Sequence, residues 1–223
     1  MQWLIKKLFL SLLAIHVVGL SLEVQADCAQ LPKKIEEYEL SLKTLYERLG
    51  VLVDHTYDEI QGWDKAFATL EGRPVQIDKG HFDFVRELAL DLDDQGSQIE
   101  DSSRPLEDQF SRYVDETVQC SPELETVAVL LSEYIVDHIV ESVGFVSEIS
   151  NIVFKWHDEW RKFEGKDSEI TFPRGTFIKV GALARDKIHL GRFYIKENGD
   201  FVLKKIREFR QKLEVSSLEG RLL

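Results

Sequence analysis

Two stretches set a histidine beside carboxylates at helical spacing: "DHTYDE", residues 54–59, and "DHIVE", residues 137–141. His55 has Asp58 three positions on, and His138 has Glu141 three positions on, so each pair shares one helical face. Imidazole and carboxylate on facing helices are the donors from which metal sites in helical bundles are built. The order is the reverse of the ferritin-type Glu-x-x-His pair, however, and His138 falls on an apolar stripe, where it reads as a hydrogen-bonded core histidine. A third stretch, "LDLDDQGSQIEDS" (residues 90–102), puts Asp91, Asp93, Gln95 and Gly96 at the first, third, fifth and sixth places of a calcium loop. The twelfth place, which needs a bidentate Glu, holds Ser102, and the apolar eighth place holds Gln98. This stretch reads as a solvated helix end, not a calcium site. No metal and no cofactor is expected.

The remaining chemistry is sparse. Gly-x-Ser-x-Gly, the phosphate loop, Gly-x-Gly-x-x-Gly, His-Glu-x-x-His and Cys-x-x-Cys are all absent from the sequence. The acidic body is so rich in carboxylates that paired ones arise by chance. The expectation is a protein that is not an enzyme.

Compartment is written at the N-terminus. Lys6 and Lys7 precede an apolar run from Leu8 to Leu22, and Val24-Gln25-Ala26 presents small residues to a signal peptidase. That run of 15 residues is shorter than the roughly 20 needed to span a bilayer. Residues 1–26 therefore read as a cleaved secretory leader, and the protein as periplasmic or secreted, with no membrane span after cleavage. Cys28 and Cys120 are the two cysteines of the chain, which in an exported protein predicts one disulfide.

Charge is divided unevenly. Residues 27–154 hold 10 Lys and Arg against 28 Asp and Glu, a net −18, whereas residues 155–223 hold 16 against 11, a net +5. The acidic body repels nucleic acid. The basic end is expected to dock on that body within the molecule.

The elements that would position these groups are helical. Between Pro32 and Gly72 the stripe Ile35, Tyr38, Leu42, Leu45, Leu49, Leu52, Thr56, Ile60, Trp63 and Phe67 repeats at three and four. A second stripe runs from Phe82 through Leu88, Leu92 and Ile99, is interrupted at "SSRP" by Pro105, and resumes with Leu106, Phe110, Tyr113 and Thr117. A third follows Ser121-Pro122-Glu123, which has the makings of a helix start, and runs from Leu124 to Phe163. Three segments of about 40 residues, each near 60 Å long, predict a mainly α fold: an elongated up-down-up bundle with a broken middle member. Cys28 and Cys120 then share one pole. In that layout His55 and His138 stand about 24 and 16 residues up from it, a gap of roughly 12 Å and too far for one metal. The acidic bundle is expected over residues 27–164, followed by a small basic appendage over 165–223. In the appendage, Asn198-Gly199 between "KIHLGRFYIK" and "DFVLK" favours a β-hairpin plus a short helix over an all-helical tail.

The same layout crowds aromatic residues at the pole away from the cysteines. Trp63 and Phe67 end the first helix, His81 and Phe82 begin the second, and Trp156, His157 and Trp160 end the third. These seven form the candidate binding patch, since aromatic groups anchor protein and small-ligand interfaces; the alternative use of the same rings is a capped core. The expected function is binding of an as yet unidentified protein, as an envelope adaptor, chaperone-like factor or secreted effector. A small-ligand or metal carrier, using the aromatic pole or the bundle histidines, is the alternative, and a membrane-inserting helical toxin a more distant one.

Overall fold

The computed structural model describes residues 27–68, 74–75, 79–161, 170–171 and 176–219; residues 1–26, expected from the sequence to be a leader, lie outside them. Four helices of 37 to 44 residues stand side by side: α1 (Leu31–Ala68), α2 (Lys79–Cys120), α3 (Glu125–Arg161) and α4 (Thr176–Glu219). They alternate in direction around a ring in which α1 packs most closely on α4 and α2 on α3. A 3₁₀ turn, Pro122–Leu124, joins α2 to α3. At the opposite pole the two remaining connections meet in an antiparallel ladder of two residues each, β1 (Pro74–Val75) with β2 (Ile170–Thr171).

The bundle forms because the three-four stripes are continuous. Ile35, Tyr38, Leu42, Leu45, Leu49, Leu52, Thr56 and Ile60, the α1 stripe expected from spacing, are all buried. Leu92, Ile99, Phe110 and Tyr113 on α2, and Ala128, Leu131, Ile135, Ser142 and Ile149 on α3, are buried as well. All four helices contribute to one hydrophobic cluster. The mainly α, elongated bundle read from the sequence is the fold of this chain.

Two local expectations are corrected. First, α2 does not break at Pro105; it runs through it. The stripe continues across the proline as Ile99, Ser103, Leu106 and Phe110, all buried, while Pro105 itself faces solvent. The proline removes one ladder donor. Just before it, the Ser102 and Ser103 hydroxyls each donate to a carbonyl, of Ile99 and Glu100, at 2.8 Å. Second, the C-terminal residues form no hairpin: Thr176–Glu219 is one helix. Ala184, Ile188, Ile195, Val202, Ile206, Phe209 and Leu213 are its buried residues at helical spacing, and Gly191 and Gly199 occupy the intervening places of the same stripe. A Cβ at Gly199 would lie 2.9 Å from Cγ and Cδ1 of Tyr46. The glycine that signalled a turn is there because α1 and α4 approach too closely for a side chain.

The basic end docks on the acidic body through this helix. Arg207 meets Glu39 at 2.5 Å, Arg210 meets Glu36 at 3.3 Å and Glu39 at 3.6 Å, and Arg192 pairs with Asp54. Lys187 reaches Glu148 on α3 at 3.2 Å. Ion pairs open to solvent contribute about 0–1 kcal/mol each, whereas burying an aliphatic or Phe side chain contributes about 1.5–3 kcal/mol. The apolar stripe therefore holds α4 in place, and the ion pairs select its partner helix.

At the closed pole, Cys28 and Cys120 are disulfide-bonded, with Cα atoms 5.4 Å apart although they are 92 positions apart in the chain. Ser121 stands at the N-cap as expected, but its hydroxyl makes no cap bond. It pairs instead with Ser216 on α4 at 2.9 Å, and Ser216 in turn donates to the Glu123 carboxylate. One pole is thus tied covalently between α1 and α2, and by hydrogen bonds between the α2–α3 turn and α4.

Replacing both cysteines (Cys28→Ser with Cys120→Ser) should lower unfolding stability in urea by about 4–5 kcal/mol, the chain-entropy value for a loop of this length. Gly199→Ala should destabilise by about 1–2 kcal/mol, because overpacking against Tyr46 outweighs the gain in helix propensity. Gly144→Ala, whose new Cβ meets nothing within 4 Å, should stabilise by about 0.5–1 kcal/mol in the same measurement.

Candidate functional site

Among the described residues, an open groove of about 1010 Å³ runs between α1 and α4. Because the helices are antiparallel, Lys43, Glu47, Gly50 and Asp54 form one wall, and Asp186, Leu190, Phe193, Lys196 and Asp200 form the other. Tyr46, Ile195 and Leu203 make an apolar floor. Each wall is a three-four stripe just outside the buried one, so the groove follows from two helices meeting along their seams.

Its rim carries an unusual apolar content. Leu190 is 53% exposed and Phe193 is 63% exposed, and Leu183, one heptad before Leu190 on the same face, is 55% exposed. Single exposed apolar residues are ordinary on protein surfaces. Three on one stripe, two of them lining a groove, make a patch. The charges around it are partly spent: Lys43 pairs with Glu47 at 3.6 Å and Arg192 with Asp54. The Arg192 guanidinium also lies 4.5 Å from the centre of the Tyr57 ring, which lies 6.3 Å from His189. This arrangement offers an apolar contact with polar groups on either side. It assembles no nucleophile–base pair.

Tyr46 lies under the groove, buried. Burial, the largest influence, pushes its hydroxyl from the ordinary value of 10.0 up to about 12, against a smaller opposing effect from Ser142. Tyr38, deeper on the same helix, is displaced in the same direction, again chiefly by burial.

The residues singled out by sequence fare differently. His55 is exposed, 4.0 Å from Glu59 on its own helix. His138 is half-buried, with its ring centroid 4.0 Å from that of Tyr134, and its Nδ1 lies 3.6 Å from Glu141. That Nδ1 closes no hydrogen bond, and the ring packs edge to face against Tyr134. Among the described residues no group of three or more His, Cys, Asp or Glu is placed to hold a metal ion. The calcium-like stretch is uninterrupted helix, with Gln95 and Gln98 donating to Asp91 and Asp94 one turn back at 2.7 and 2.9 Å.

The seven residues of the aromatic patch lie on helix ends at the pole of the β1–β2 ladder. Trp63 and Phe67 are in the last turns of α1, His81 and Phe82 in the first turn of α2, and Trp156, His157 and Trp160 in the last turns of α3. The topology brings their backbones to one pole. The His157 side chain is mostly covered, with Nδ1 3.8 Å from Asp158; the other six side chains lie outside the described set. The groove is not among the sites the sequence predicts. Its wall on α4 exists only if residues 183–203 are helical, and the heptad from Ala184 to Leu213 was the signal that could have shown it.

No described helix is long and apolar enough to cross a membrane. No protein-family model matches the chain, and no curated protein or solved structure shows significant similarity to it.

Stability should fall as pH rises from about 10 to about 12. The unfolded tyrosine ionises near 10, while the buried Tyr46 hydroxyl holds its proton to about 12, so the unfolded state gains over this window. Urea unfolding at successive pH values, followed by tyrosinate absorbance, checks the sign. Tyr46→Phe should flatten the slope.

Proposed function

We propose that this is an exported, non-enzymatic helical protein that acts by binding another protein, as an envelope adaptor, chaperone-like factor or secreted effector. The observation that carries this reading is the pair Leu190 and Phe193, both more than half exposed, at the rim of the α1–α4 groove. A long, rigid bundle with an apolar stripe on one face resembles the surfaces that receive amphipathic segments of partners. The leader-like residues 1–26 and the absence of catalytic motifs from the sequence support the same reading.

A groove of about 1010 Å³ also sits at the upper end of small-ligand sites, which keeps a carrier role as the second reading. Enclosure argues against it, because small-ligand sites bury most of their guest and this groove stands open to solvent.

The intact protein, bearing a photo-crosslinking residue in place of Leu183, should capture a discrete partner from an extract of its own cell envelope. Leu190→Asp combined with Phe193→Asp, with helix content checked by circular dichroism, should reduce that adduct at least tenfold. Undiminished capture by the double variant would overturn the reading. An added small mass in native mass spectra, lost in the same variant, would support the carrier instead.

A further inference from the structure

Where α1, α3 and α4 meet at mid-height, four buried polar atoms have no hydrogen-bond partner in the protein: Tyr46 Oη, His138 Nδ1, Ser142 Oγ and Asn198 Nδ2. Tyr46 is 7% exposed and Ser142 0%. Their convergence follows from neighbouring contacts. On α4, Tyr194 packs on Phe145 of α3 with ring centroids 4.8 Å apart, and Phe201 packs on Tyr134 of α3 at 5.2 Å. Asn198 lies one turn from each of these residues on the same face of α4. It therefore faces the α3 stretch between Tyr134 and Phe145, where His138 and Ser142 stand one turn apart. The next residue, Gly199, backs onto the Tyr46 ring. Ser142 lies near enough to the Tyr46 hydroxyl to lower its pKa as a hydrogen-bonding neighbour would, but the two atoms do not meet at hydrogen-bond geometry.

Buried polar groups in folded proteins are almost always satisfied, by protein or by internal water. A water needs two to four polar partners, and these residues supply them. The Tyr46 and Ser142 hydroxyls can donate or accept, Asn198 Nδ2 only donates, and His138 Nδ1 accepts when the other ring nitrogen carries the proton. We propose that Tyr46, His138, Ser142 and Asn198 form an internal binding site for ordered water that bridges α1, α3 and α4. Such a site acts on register. Sliding α4 by one turn along α3 would set Asn198 opposite an aromatic ring and strand the other three groups. The hydrated layer therefore rewards one alignment of otherwise interchangeable apolar stripes.

Oxygen-17 relaxation dispersion of water, recorded on the full chain, reports water held longer than the protein tumbles. The wild type should show at least one such molecule, and Ser142→Ala with Asn198→Leu should lose it. Should that double variant not fold, Tyr46→Phe removes a single hydroxyl and should still reduce the signal, with a fall in Tm of roughly 2–4 °C. No long-lived water in the wild type would overturn the proposal. So would a signal unchanged by folded variants, which would place the water elsewhere, or a rise in Tm on Tyr46→Phe, which would mean the hydroxyl lies dry.

Discussion

The seam between α1 and α4 is the contact on which the rest of the molecule depends. Residues 27–161 alone would present the α1 stripe to α2 and α3 but leave its outer flank open. α4 closes the ring by laying Ile188, Ile195, Val202, Ile206 and Phe209 along it, each buried. The close approach at Gly199 lets the helices pack with the Tyr46 ring against backbone. That seam also accounts for the division of charge. The carboxylates Glu36, Glu39 and Asp54 on α1 face Arg210, Arg207 and Arg192 on α4. A basic helix from the end of the chain is thereby directed to the acidic first helix and not to a like-charged copy of itself.

Much of this was legible in the sequence because a helical stripe is a long-range pattern that few alternatives satisfy. Eight consecutive seam positions of α1, Ile35 to Ile60, are buried as their spacing requires, and the cysteines pair at the pole to which two antiparallel helices of similar length bring them. The misreadings came from short signals taken alone. Pro105 was given the weight of a helix end, although the stripe through Ser103 and Leu106 passes it unbroken. Asn198-Gly199 was given the weight of a hairpin, although a four-three-four series surrounds it. In both places tertiary packing decided. The proline ring points to solvent, and the glycine hydrogen faces a neighbouring helix.

The candidate site shows the same hierarchy. The aromatic pole could be located from helix lengths, since only the direction of each helix was needed. The α1–α4 groove could not be, because its walls belong to helices separated by the whole chain and one of them had been read as strands. The stripe places His138 on the buried side of α3, but spacing alone does not name its neighbours. A ring packed on it, Tyr134, lies one turn back on α3.

The two ends of the bundle are built on different principles, and this bears on where recognition can occur. At one end a disulfide and the Ser121–Ser216–Glu123 chain of hydrogen bonds tie the N-terminus of α1, the end of α2, the start of α3 and the end of α4 together. Bridges of that kind persist mainly in oxidising compartments, which the proposed export would provide. At the other end the connections share only a two-residue ladder among the described residues. The exposed stripe Leu183, Leu190 and Phe193 lies on the half of α4 nearer this second end. Docking there would leave the tied pole untouched, and the bundle would act as a rigid handle whose covalent anchor and contact surface lie on separate parts of its length.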